Sequence, residues 1–500
     1  MKIAIIKITY KRNKMKNKVN IINSIILMGI FIGNSAYAQT AGPISTHCLH
    51  SYVGDPMPKQ LISGIPFPTA DVTLDVWVKN QNYQKMNQHS WDIWAALTER
   101  VNDSDWGVVS RFETWKTPEQ IANNCQQEHP VILKKPNQFH HANIVNNKQY
   151  PPKTGQINDS IIEAVRYSPA ATRHAAKYDL FNLVSLQKIY NAQKGQGVFP
   201  IQIPDFPAQA VTIKPVYKVF TQDTVKENYA GMTSWPGLPK TARAFPETDW
   251  NTCIYIDFTN NTSNNDPQLD KGCDAKNPGK NPNIVYNIED FIHIEITPQN
   301  IDDFIHLENS LSLGDYVVLV AMHVTTREIT RWTWQTYFWS HNPDQPSLPS
   351  TIEKANARPA MMPLASDHYA MANGYATIKY GTKQSEAGYA MVWPAQPDLG
   401  GRSVGAGVVV FNPYLEAGFT PATFNPKNPI LGENGKSYTA KFGIQSNCMS
   451  CHAMAALPGE QNPPTHPNYV ADFYYSLDNK KFFEGNLKMD FAWSITSTAK

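Results

Sequence analysis

The residues best suited to chemistry stand together near the C-terminus, in Cys448-Met449-Ser450-Cys451-His452. Two thiols three positions apart lie about one helical turn apart, so both reach the vinyl groups on one edge of a porphyrin, and the adjacent imidazole falls beneath the iron. The spacing predicts one covalent haem c on Cys448 and Cys451, with His452 as proximal ligand. With six Cys and fourteen His in 500 residues, chance yields C-x-x-C-H on the order of 0.002 times, too rarely to be a coincidence of composition. A structural zinc site would need a second paired set of Cys or His at similar spacing, and the sequence has none. A thioredoxin-like dithiol would sit in a βαβ setting, and little βαβ pattern surrounds this segment. A plain disulfide or an unmodified pair is the remaining alternative.

Function turns on the sixth coordination position. Met489 is the one methionine after the motif apart from Met454, which is too near His452 to reach the opposite face. Methionine–histidine ligation would make a high-potential electron carrier; the competing role for Met489 is apolar packing beside Phe491 and Trp493. His466 stands in a proline-rich loop. His323, mid-strand beside Met322 and facing the other way, could point at a site or pack in a core. His140, His141, His293 and His341 read as ordinary surface or strand histidines. The proximal imidazole needs a carbonyl to orient it, and Pro463 or Pro464 is the expected source.

Attachment of this kind occurs outside the cytoplasm, and the N-terminus fits that address. Residues 1–18 hold seven Lys or Arg and no acid, an apolar run follows from Val19 to Gly33, and Ala36-Tyr37-Ala38 closes it. This is the pattern of a secretory signal spanning 1–38, cleaved after Ala38, with Met15 as a second possible start. The apolar run is interrupted by Asn20, Asn23 and Ser24 and falls short of the ~20 residues a membrane span needs. No second long apolar stretch follows, so a mature periplasmic or secreted chain without a span is expected. Removing the seven basic residues leaves 37 against 42 acids, a net charge of −5, which gives no footing for nucleic acid. Four cysteines lie outside the motif. Cys253 and Cys273 flank a loop rich in Asn, Asp, Gly and Pro and are expected to pair, leaving Cys48 with Cys125 by elimination.

The elements that must position these groups form an α+β chain: an antiparallel β-rich body, N-terminal helices and a short C-terminal haem segment. Val72–Trp77 alternates as a strand, Ser90 is placed to cap a helix carrying Trp91, Ile93, Trp94 and Leu97, and Thr117-Pro118-Glu119 starts another. Ser160–Gln193 has helical spacing broken by Pro169 and ended by Gly195. The period then changes to two. Val211–Val219 reads as a strand that Pro215 restricts to an edge or bulge. Cys253–Phe258 and Phe291–Ile296 follow, then Tyr316–Thr325, which pairs with Arg331–Trp339 as a hairpin. The aromatic stripe of that last strand, Trp332, Trp334 and Phe338, is expected in the core, with a cofactor wall as the alternative. Short strands near 375–380, 389–393 and 405–411 precede the motif, whose helix is expected to continue through Leu457 to Pro458-Gly459. The regions are 1–38 (signal), 39–205 (mixed, helix-containing), 206–425 (β-rich body) and 426–500 (haem-binding).

Three segments, Asn447–His452, Met322–Trp334 and Met489–Ser494, resemble a group of large secreted bacterial monohaem proteins of the cytochrome c family. The resemblance spans most of the mature chain, although C-x-x-C-H is its one specific motif. It implies haem binding and electron transfer with a redox partner protein or a small-molecule donor or acceptor, and it assigns no catalytic residue. Electron transfer is the leading expectation. A peroxidase-like haem oxidoreductase or a haem-based sensor, each with an open distal position, is the alternative.

Overall fold

A computed structural model describes residues 47–104, 107–126, 161–225, 227–261, 268–271, 284–304, 311–363, 365–375, 410–424, 442–446, 448–459, 477 and 480–500. Gly42–Lys500 forms one compact unit. The segment 1–38, His140, His141, Cys273, Pro463, Pro464, His466 and the expected strands at 376–380, 389–393 and 405–409 lie outside the described residues.

The expected strand at 72–77 is instead part of a helix, α1 (Asp71–Lys79). Leu74 and Val78 are buried while Val72 and Val76 stay exposed, so the alternation hides an i, i+4 stripe. In α2 (Tyr83–Thr98) the N-cap is Asn82, whose side chain accepts from the Lys85 N–H. Ser90 lies inside that helix and donates back to the Met86 carbonyl at 2.9 Å, the local bond that mid-helix serines form. Strands β1 (Arg100–Asp103) and β2 (Gly107–Ser110) form a hairpin. Helix α3 (Pro118–Ala122) begins as expected, on a capping box between Thr117 and Gln120. The stretch 160–193 is not one helical region: β3 (Ile161–Glu163) and β4 (Arg166–Tyr167) come first, then α4 (Pro169–Lys177) and α5 (Leu183–Gly195). Pro169 starts α4 at its first position, where a missing N–H costs nothing.

The remaining strands in order are β5 (Val211–Phe220), β6 (Tyr229–Thr233), β7 (Thr252–Asp257), β8 (Asp270–Lys271), β9 (Val285–Asn287), β10 (His293–Glu295), β11 (Tyr316–Thr326), β12 (Thr333–Trp339) and β13 (Tyr369–Tyr375). The main sheet runs β13-β12-β11-β5-β3, with β10 beside β11 and β4 beside β5, all antiparallel. A smaller sheet joins β6, β7 and β8 antiparallel and adds β9 parallel to β7. The class is mixed α+β with antiparallel sheets and few helices. The hairpin of β11 and β12 pairs as the sequence predicts, from Ala321↔Phe338 to Thr326↔Thr333.

Pro215 lies in a central strand, β5, and not at an edge, and the bulge half of the expectation is met beside it, where the β11 register shifts between Leu319 and Ala321 against Tyr217 and Val216. The neighbour of β5 on one side is split: β3 covers Val216–Lys218 and β4 covers Thr212–Ile213. Pro215 therefore faces the break between two short strands, where no donor is needed, and its carbonyl still accepts from the Ala164 N–H at 3.3 Å.

Two large cores follow. The first packs α2 on the sheet, with Trp94 stacked on Tyr337 at 4.3 Å between centroids and the Tyr337 hydroxyl bonded to the Ser90 carbonyl. The second gathers α4, α5, Trp332, Trp334 and the C-terminal segments. A disulfide joins Cys48 to Cys125 across 77 positions, a closure that contributes about 4–5 kcal/mol on the chain-entropy model. Cys253 is buried on β7, its sulfur 3.9 Å from the Tyr255 hydroxyl.

Candidate functional site

The motif forms one helical turn, α7 (Cys448–His452). The chain does not continue as helix to Leu457. The Met454 and Ala455 N–H groups reach back three residues, to the Cys451 and His452 carbonyls, and the tightened turn releases the chain into β14 (Ala456–Pro458). That strand pairs with β15 (Asn486–Lys488), so the C-terminal tail returns directly to the motif. Met489 follows β15, donates its N–H to the Ala455 carbonyl at 2.9 Å and is fully buried in the second core.

Asp490 and Phe491 then adopt the left-handed conformation, at φ 43° and 69°. Such backbone is costly for non-glycine residues and persists only where the surroundings hold it. Here the Asp490 carboxylate does so. Its Oδ2 accepts from the Phe206 N–H at 3.0 Å and from Arg327 Nε at 3.1 Å, and its Oδ1 accepts from Trp332 Nε1 at 3.3 Å. The product is a carbonyl aimed at the motif, since His452 Nδ1 lies 2.8 Å from the Phe491 oxygen. An orienting carbonyl was expected from Pro463 or Pro464. Phe491 supplies one, because β15 brings a chain end 39 positions away beside the imidazole. Trp493 Nε1 donates to the Cys451 carbonyl, and the Trp334 ring lies 4.7 Å from that of His452, tilted by 51°.

Burial drives His452 down to about 4, with His323 and Lys214 adding to the depression and the Phe491 carbonyl and Glu416 opposing it. The imidazole is neutral at pH 7, with its Nδ1 committed to the Phe491 carbonyl. Burial likewise raises both thiols, and Glu416 adds to it. The Cys448 sulfur rests 3.3 Å from the Val410 carbonyl.

Cys448, Cys451 and His452 line one cavity, partly open to solvent, together with Phe491, Trp493 and Ser494 of the tail. Its floor is the main sheet. Lys214 pairs with His323 and Thr212 with Thr325 across β5 and β11, and Thr325 pairs with Trp334 on β12, so these side chains share one face. Trp334 is thus both core, the leading expectation for its stripe, and cavity wall, the alternative weighed beside it. Met322 turns to the first core and His323 to the cavity. There His323 Nε2 lies 2.7 Å from Glu416 Oε1.

Glu416 had no signal in the sequence. It ends α6 (Pro413–Glu416), capped by Asn412, whose side-chain amide donates to Thr336 Oγ1 at 2.7 Å and to the Tyr337 carbonyl at 2.9 Å. The Glu416 Oε2 accepts from the Asn412 N–H. Gly443 lets the turn before the motif close on α6, because a Cβ there would lie 1.5 Å from the Glu416 carbonyl oxygen. Both cavity walls are thereby fixed to one another.

Met489 and Met454 are not among the cavity-lining residues, nor are His293 and His341. Among the described residues no three His, Cys, Asp or Glu side chains gather as a metal-binding set, and no helix is long and apolar enough to cross a membrane. Compared with protein-family models, curated proteins and solved structures, the chain matches none.

Proposed function

We propose that this chain is an exported c-type haem protein that transfers electrons, holding one haem through thioethers at Cys448 and Cys451 with His452 as proximal ligand. The observation that carries this reading is the convergence of both thiols and the neutral imidazole of α7 on one cavity. The donor chemistry fits. A porphyrin supplies four ligands of its own, so the protein needs to bring only axial groups, and one imidazole oriented by a backbone carbonyl is what the proximal side requires. Bound there, haem c supplies a one-electron Fe(III)/Fe(II) couple. The chain's own residues do the rest: Phe491 holds the His452 ring and its tautomer, and Trp334 packs against that ring. The N-terminal signal pattern supports export to the periplasm or beyond. A partner protein or a small molecule would supply or accept the electron.

Attachment is tested by haem staining after denaturing electrophoresis and by intact mass, which should exceed the processed chain by one haem. Replacing Cys448 and Cys451 together with Ser should remove all covalent haem. Loss of all colour from the wild type on acid–acetone extraction would refute the reading. A haem-dependent oxidoreductase or gas sensor is the second reading, and the presence of His323 and Glu416 in the cavity makes it specific: with an open iron position, that pair would face a small ligand.

A further inference from the structure

Building on the haem reading, we propose that His323, held by Glu416, is the distal axial ligand, so that the iron is bound by two imidazoles. Of the described residues lining the cavity, His323 is the one histidine besides His452, and no methionine lines it. Met489, the ligand favoured by its place in the sequence, is fully enclosed in the second core.

His323 also carries the marks of a metal-bound histidine. Such a residue engages one ring nitrogen with a carboxylate or carbonyl and leaves the other for the metal. His452 does this with the Phe491 carbonyl and His323 does it with Glu416. The carboxylate accepts from Nε2–H and so leaves the lone pair on Nδ1, which is buried and has no hydrogen-bond partner. A buried, unpaired ring nitrogen is unfavourable unless something satisfies it. Glu416 is itself immobilised, one oxygen on His323 and the other on the Asn412 N–H, with Asn412 tied to β12. Two fixed imidazoles would keep the iron low-spin in both oxidation states, which favours electron transfer over turnover or gas binding.

The test uses holoprotein in which covalent haem has first been established by staining. Electron paramagnetic resonance and near-infrared magnetic circular dichroism of the oxidised wild type should show low-spin iron with two nitrogen axial ligands, and the reduced protein should not bind carbon monoxide. His323→Gly should become high-spin and bind carbon monoxide stoichiometrically, and added imidazole should restore the low-spin spectrum. Met489→Leu should leave the spectrum unchanged. High-spin wild-type iron that binds carbon monoxide at once, an unchanged low-spin spectrum in His323→Gly, or a methionine-ligand band lost in Met489→Leu would each overturn the assignment while leaving covalent haem intact. Wild-type protein without covalent haem would instead overturn the underlying reading. The wild-type spectra decide the matter even where His323→Gly fails to fold.

Discussion

The two walls of the cavity are built by opposite means. On one side Cys448, Cys451 and His452 occupy a single turn, and the imidazole leans on a neutral backbone carbonyl. On the other, His323 on β11 meets a carboxylate 93 positions away. The first wall has its chemistry written in adjacent residues and needs the fold only for orientation. The second has no local signature and exists because three strands and a loop converge. The two histidines therefore differ in what would disturb them. His452 depends on a strained turn that a buried charge network holds in place, and His323 depends on a close backbone approach at Gly443.

Those dependencies order the expected effects. Asp490→Ala should be the largest, because it leaves Arg327 facing a vacated buried partner and frees the strained turn; a loss of about 3–5 kcal/mol is expected in urea denaturation. Burial raises the Asp490 carboxyl, with Arg327 opposing that shift, so Asp490→Asn, whose amide oxygen still accepts from Phe206 and Arg327 while its NH2 cannot accept from Trp332 Nε1, should lose less than the alanine variant. If the two variants are equally stable to urea, the network does not hold the turn. Gly443→Ala attacks the other wall. The added Cβ collides with the Glu416 backbone, and a cost of about 3 kcal/mol is expected from overpacking. It should displace Glu416, so a histidine resonance of His323 should move in NMR.

A third experiment provides a control remote from both walls. The sequence gives His341 no special role, yet burial drives it down to about 4, and its Nδ1 has no hydrogen-bond partner. Its pKa when folded lies below the unfolded value near 6.5. The unfolded chain therefore binds more protons in that window, and stability present above about pH 6.5 is lost as pH falls toward 4. The group contributes on the order of 3 kcal/mol to that loss. His341→Asn should flatten the acid limb of the urea midpoint relative to wild type without moving any cavity histidine. An identical pH dependence in both proteins would remove His341 from the acid response. The smallest effect belongs to Tyr167→Phe, which deletes a 2.7 Å bond to Ser494 at the start of α8 (Trp493–Thr498). A loss of about 1 kcal/mol is expected, measurable as a shift of the thermal midpoint, with the wall around His323 untouched.

Legibility followed the range of the interaction. The hairpin of β11 and β12 and the capping box at Thr117 were readable, since each is specified by a few neighbouring residues. The strand expected at 72–77 failed because alternation and an i, i+4 stripe coincide over six residues, and the choice fell to which side chains the rest of the molecule buried. Pro215 misled only as to an edge position, for a related reason. A proline bars a strand interior only when its neighbour demands an N–H, and the break between β3 and β4 removes that demand.

The site divides along the same line. The sequence alone determined that Cys448, Cys451 and His452 stand together, because that spacing is a property of one helical turn. It also determined that Met322 and His323 face opposite ways, since side chains alternate along any strand. Which of the two faces the cavity was decided by the packing of the sheet. The Phe491 carbonyl, the Asp490 clamp, the Trp334 wall and the Glu416 partner were decided by tertiary structure alone. Each joins the motif or the sheet across tens to hundreds of positions, and only burial in a shared cavity brings such groups within hydrogen-bonding distance.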